Sequence, residues 1–125
     1  MDAVELKQRT FNFGQRTIRL VRALPKTTEA RAIGGQLVRC ATAVGANYRA
    51  TCKSRSKAEF IARIGVVEEE ADESAYWLET IMASQMLKPS RVQPLLNEAR
   101  ELERIFGQSR VTAVRSARSK NSNRQ

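Results

Sequence analysis

The chain of 125 residues contains no histidine. Histidine is the side chain that titrates nearest neutral pH and the commonest metal ligand, so its absence removes the simplest routes to acid–base and metal chemistry. Carboxylate-bridged metal sites in helical bundles need a Glu-x-x-His from each of two helices, and that pattern cannot be written here. Proline occurs three times and glycine six times, which leaves most of the chain free to be helical. Cysteine occurs twice, at Cys40 and Cys52. Both fall in one predicted helix, about 18 Å apart at ~1.5 Å per residue, too far for a disulfide. There is no apolar run of about 18 residues and no signal-peptide pattern. The chain therefore reads as cytoplasmic, reduced and without a membrane span.

What is abundant is positive charge. Lys and Arg number 22 against 13 Asp and Glu, a formal net charge of +9. The balance shifts along the chain. Residues 1–57 carry 12 cations and 3 anions, residues 58–109 carry 5 and 10, and residues 110–125 carry 5 and none. A basic balance favours a polyanionic partner. Unlike faces on one chain also permit head-to-tail contact between subunits.

Four helical patterns follow one another. The first covers about Val4 to Leu24, with Phe11, Gly14, Ile18, Val21 and Leu24 as its apolar stripe and Pro25 as its stop. The second starts at Thr27 or Thr28, either of which can cap it, and its stripe is Ile33, Leu37, Cys40, Val44, Asn47 and Thr51. Its many Gly and Ala residues make it slim, which suits close packing. The third opens on a capping box, Ser56 with Glu59, and its stripe runs Phe60, Ile64, Val67, Ala71, Ser74, Leu78, Ile81 and Gln85. The fourth begins around Ser90 to Pro94, with Ser90 and Gln93 as a second capping box. Its stripe is Val92, Leu95, Leu96, Ala99, Leu102, Ile105 and Phe106. Short connections between such helices predict an all-α fold, an antiparallel up-down-up-down four-helix bundle, over residues 1–114. Residues 115–125 are polar and basic, have no core face, and read as a disordered tail.

The third helix invites a catalytic reading, because Glu68 and Asp72, like Glu69 and Glu73, share a face. No nucleophile–base pair or phosphate-cradling loop accompanies them, and Gly34-Gly35 lies inside a helical pattern. We expect no enzyme activity, no metal and no cofactor. Charge pairing is the simpler reading. Arg39 of the second helix can meet Glu68, Glu69 or Asp72 of the third, and Asn47 on the core stripe can fix register. Arg39, Asn47, Glu68, Glu69, Asp72 and Glu73 are accordingly expected to be structural or assembly residues. The joint between the two helices is basic. Arg49, Lys53, Arg55 and Lys57 gather there with Ser54 and Ser56, a pattern suited to phosphate contacts without base specificity. The arginines of the first helix, Arg9, Arg16, Arg19 and Arg22, add to this surface if they share it. The Arg115–Arg124 segment would help.

The order and spacing of several segments resemble a family of four-helix-bundle proteins that includes those encoded by intervening sequences in bacterial 23S rRNA genes. The segments are Leu24-Pro25-Lys26, Gln36-Leu37-Val38-Arg39-Cys40-Ala41, Gly45-Ala46-Asn47-Tyr48-Arg49-Ala50, Ser56-Lys57-Ala58-Glu59-Phe60, Glu68-Glu69-Glu70-Ala71-Asp72-Glu73 and Trp77-Leu78-Glu79. The resemblance covers roughly residues 11–110. It implies a bundle that assembles as a ring-like homopentamer. It also implies likeness in fold to the accessory proteins of diversity-generating retroelements, which bind nucleic acid and a reverse transcriptase through a basic surface. Where many members read Asn-Ile-Ala-Glu-Gly, this chain reads Asn47-Tyr48-Arg49-Ala50-Thr51, so no role of that Glu carries over. Two functions remain open: a homo-oligomeric bundle that binds RNA or DNA backbone, and a protein-interaction scaffold or accessory subunit with no direct nucleic-acid role.

Overall fold

The computed structural model describes residues 1–123. It contains helices α1 (Ala3–Arg22), α2 (Thr28–Thr51), α3 (Lys57–Ala83) and α4 (Pro89–Asn123). Each helix packs on its chain neighbours and α1 also meets α4, while the backbones of the diagonal pairs stay apart. This is the all-α up-down-up-down arrangement. None of the described helices is long and apolar enough to cross a membrane.

The starts are set by side chains that satisfy orphan backbone donors. Asp2 accepts from the Glu5 N–H at 2.8 Å, Thr27 from the Ala30 N–H at 3.2 Å, and Ser56 from the Glu59 N–H at 3.1 Å. The capping box of α3 is thus made on its Ser56 side, and Glu59 pairs forward with Arg63 at 2.8 Å. The end of α3 differs from expectation. The helix stops at Ala83, and Gln85 is an exposed loop residue in the left-handed region at φ 56°. The Met86 N–H closes back on the Ile81 carbonyl at 3.1 Å, as in a helix stop of the Schellman type. Helix α4 begins one residue earlier than the predicted cap, at Pro89, which puts Pro94 in its second turn. The exposed position of that turn lets water satisfy the carbonyl that Pro94 cannot bond.

The core stripes of α2, α3 and α4 hold in phase, except that Gln85 lies exposed beyond the end of α3 and Asn47 is half-buried. Leu37, Val44, Ile64, Val67, Leu78, Leu102 and Phe106 are wholly buried. The stripe of α1 is corrected. Its inward face is Leu6, Thr10, Phe13, Gly14, Thr17 and Leu20, while Phe11 is 59% exposed. Thr10 and Thr17 are buried because each hydroxyl donates to a carbonyl one turn back, Leu6 at 2.8 Å and Phe13 at 2.9 Å, so only their methyl groups face the core. Helices α1 and α2 approach closely at Gly45, where an added Cβ would lie 3.3 Å from the Thr10 carbonyl oxygen. The basic segment beyond residue 114 is also corrected, from a disordered tail to a continuation of α4 through Asn123. Elongating an existing helix costs far less than nucleating one, so no packed face is needed. None of the residues 114–120 is buried. Arg124 lies outside the described residues.

Candidate nucleic-acid interface and assembly residues

The joint is built from the α2 C-terminus. Cys52 ends the helix, and the next N–H groups turn back, Lys53 to the Ala50 carbonyl and Ser54 to the Thr51 carbonyl, both at 3.1 Å. Arg63 of α3 donates to the same Ala50 carbonyl at 2.7 Å. A cation on the last carbonyls offsets the negative end of α2 and ties the two helices together. Arg49, Lys53 and Arg63 then line an open cleft of about 350 Å³ floored by Ala46 and Ala50.

The four predicted phosphate ligands separate into two groups. Arg49 and Lys53 share the cleft. Arg55 stands exposed in the turn, and Lys57 donates to the Ser116 hydroxyl of α4 at 2.7 Å. Arg63 was missed by the sequence reading. Its position on the first turns of α3, four residues after Glu59, was the available signal. The arginines of α1 do not join this surface. Arg9 forms a two-bond pair with Glu98 of α4, at 2.8 and 2.7 Å, and Arg16 and Arg19 lie at the opposite end of the bundle, between α1 and α4. Tyr48 is no stacking platform. It is buried, with its ring 5.2 Å from that of Phe106, and burial beside the Cys52 thiol pushes its phenol well above the usual range.

The acidic helix pairs in a register different from the predicted one. Arg39 binds Glu73 at 2.6 Å and approaches Glu70 at 3.7 Å. Glu68 faces the other flank and accepts from Arg110 of α4 at 2.9 Å. Glu69 and Asp72 form no ion pair among the described residues. The reason is helical phase. Residues 70 and 73 turn toward α2, whereas 68 turns toward α4. Asn47 is half-buried and its side chain makes no hydrogen bond among the described residues; its carbonyl accepts from Thr51 at 2.7 Å.

Cys40, Glu70 and Glu73 bring three donor atoms within 4.8 Å of one another. Arg39 already supplies the cation for both carboxylates there. Burial raises the Glu70 carboxyl above the ordinary range, and Glu73 beside it adds to the effect. Burial likewise pushes the Cys40 thiol up, and its hydrogen bonds to Leu37 and Ser74 are those of a core residue.

Exposed large hydrophobic side chains other than Met1 fall into two places. Val4 and Phe11 lie on α1, and Val66 and Tyr76 lie on α3, the diagonal helix. Phe11 sits in a shallow groove with Gly14, Gly45 and Ala46, bordered by Lys7 and Arg49. Val66 and Tyr76 flank Glu69, with Asp72 beside them. One patch is apolar and basic, the other apolar and acidic.

No curated protein matches the chain. Among solved structures it is similar to a protein of unknown function from the S23 ribosomal protein family of Bacteroides thetaiotaomicron. That likeness has 24% identity and a TM-score of 0.78, covering 84% of this chain and 97% of the other. It shows the fold. The family model of the 23S rRNA-intervening sequence proteins matches residues 2–108, which span all of the first three helices and more than half of the fourth. On that match the chain belongs to the 23S rRNA-intervening sequence protein family.

Proposed function

We propose that this protein is a non-enzymatic, homo-oligomeric helical bundle that binds RNA or DNA backbone through the joint end of the bundle. The carrying observation is the cleft in which Arg49 and Lys53 stand beside Arg63, with Arg55 exposed in the adjoining turn. Arg49, Lys53 and Arg55 are in no ion pair among the described residues. Such cations have no internal partner to surrender when phosphate arrives. Cations grouped in this way contact backbone phosphates, so binding is salt-dependent.

Assembly would multiply a weak patch into useful avidity. The two apolar patches support it. A contact that joins the basic patch of one copy to the acidic patch of the next is heterologous, and such contacts form a ring when the rotation between copies closes. A pentamer is the size that the family resemblance suggests. The same patches also support the second reading, a scaffold or accessory subunit whose acidic α3 face meets a partner protein such as a reverse transcriptase.

The test is a duplex-binding titration across a salt series, with native mass measured in parallel. Four phosphate contacts, from Arg49, Lys53, Arg55 and Lys57, predict a slope of log K against log salt near −3.6, from about −0.9 per contact. Arg55→Ala/Lys57→Ala should make it shallower by about 1.8. Absence of binding at low salt refutes the nucleic-acid reading, and a monomeric mass refutes the avidity mechanism.

A further inference from the structure

The end of the bundle opposite the joint carries charge of nearly one sign. Residues 19–31 and 84–91 close that end. Their charged side chains are Arg19, Arg22, Lys26, Arg31, Lys88 and Arg91, against the single carboxylate of Glu29. All six cations are exposed, and none is in an ion pair among the described residues. Five of them gather around two open grooves that flank the last turns of α1. Arg19 and Arg91 border one of about 390 Å³, with the half-buried Arg16. Arg22, Lys26 and Arg31 border the other, of about 380 Å³.

Helix stability does not account for this placement. Arg19 and Arg22 lie in the last turn of α1, where a cation is favourable. Lys88, Arg91 and Arg31 lie at the opposite kind of end. Lys88 directly precedes α4, Arg91 is its third residue, and no carboxylate stands in its first turn. Arg31 is the fourth residue of α2. Positive charge beside the positive end of a helix weakens that helix. Lys57, the first residue of α3, has the same unfavourable placement at the joint end. Charges kept where they weaken their own helices point to a partner that supplies the anions.

We infer that the far end is a second surface for nucleic-acid backbone, so that each subunit holds two segments at once, one at each end of the bundle. The inference rests on the nucleic-acid reading above and adds a second site to it. Lys57 touches Ser116 of α4 at the joint end, and about 38 Å of helix separates Ser116 from Arg91 at ~1.5 Å per residue. Base pairs of a duplex are spaced by ~3.4 Å, so a stem of fewer than about 11 pairs cannot reach from one end to the other. A short duplex therefore seats at one end, and a second can seat at the other.

The experiment counts DNA hairpins bound per subunit at saturation in low salt, by fluorescence anisotropy. The stem has six base pairs, about 20 Å long. The proteins are wild type, Arg31→Glu/Arg91→Glu, and Lys53→Glu/Arg55→Glu, the last two with the same change of net charge. Wild type should bind about two hairpins per subunit and each variant about one. Arg31→Gln/Arg91→Gln, which removes charge without reversing it, should weaken the far-end site about tenfold. The urea midpoint of Arg31→Glu/Arg91→Glu should equal or exceed that of wild type, because glutamate suits a helix N-terminus. Wild-type saturation at about one hairpin, a far-end variant that still binds two, or a lowered urea midpoint that makes these arginines structural overturns the inference. The nucleic-acid reading at the joint fails on a separate result, hairpin binding that ignores Lys53 and Arg55.

Discussion

Replacing Arg9 tests whether one ion pair closes the bundle. Among the described residues, Arg9–Glu98 is the one ion pair that joins α1 to α4, the seam that otherwise opens into the arginine groove. The Arg9 side chain is 26% exposed and that of Glu98 is 17% exposed. Charges about 4 Å apart at an effective dielectric near 20 attract by roughly 4 kcal/mol. Ordering the arginine stem costs up to about 2 kcal/mol, and desolvation removes part of the rest. A coupling of ~1–2 kcal/mol remains, above the ~0.2–1 kcal/mol of fully exposed pairs. Arg9→Ala alone should cost more, about 2–3 kcal/mol, because it leaves the Glu98 carboxylate largely buried without its partner. The assay is urea denaturation of wild type, Arg9→Ala, Glu98→Ala and the double variant, analysed as a double-mutant cycle. For a chain of this length each kcal/mol should also move the melting temperature by about 4 °C. A coupling below about 0.3 kcal/mol, inside the usual additivity error, would refute the reasoning and leave the seam held by apolar contact alone.

Gln85→Gly should raise stability by about 0.5–1 kcal/mol, because glycine enters the left-handed region without the Cβ clash that Gln85 bears; an unchanged urea midpoint would remove strain as the account of that turn. Glu70 should destabilise the fold at neutral pH. Its folded carboxyl is raised above the unfolded value, so the folded state binds the proton more tightly and stability falls as pH rises from the unfolded to the folded value. Glu70→Gln should flatten that part of the stability–pH curve, and a curve of unchanged shape would show that the carboxyl is not perturbed by burial.

Apolar spacing placed α2 and α3 because large apolar residues, Leu37, Val44, Ile64, Val67 and Leu78, fix the phase of each helix and carry the small polar Thr51 and Ser74 inside with them. It failed on α1, where two of the buried positions are threonines and an exposed position is a phenylalanine. A hydropathy pattern counts Thr10 and Thr17 as polar, whereas their hydroxyls are consumed by their own helix and only methyl groups reach the core. Phe11 was counted as core because nothing in the order of residues distinguishes a core aromatic from one on an outer groove. The joint was legible from its charge run, since turn residues cannot scatter far from one another. Arg63 and the α1/α4 arginines were not, because each comes from a helix whose rotation about its axis has to be known first. The same missing angle explains why Arg39 was assigned Glu68, Glu69 or Asp72 when its partners are Glu73 and Glu70.

Cations stand at both ends of the bundle, and the carboxylates of α3 and the middle of α4 lie between them. In electrostatic terms this is an axial quadrupole. Its ends are separated by about 38 Å, several times the ~8 Å Debye length at physiological salt. Each end therefore presents its own field to an approaching polyanion, and occupation of one does not electrostatically weaken the other within a subunit. Along the waist most carboxylates are paired with arginines, so it offers the polyanion no comparable positive field and approach is favoured end-on.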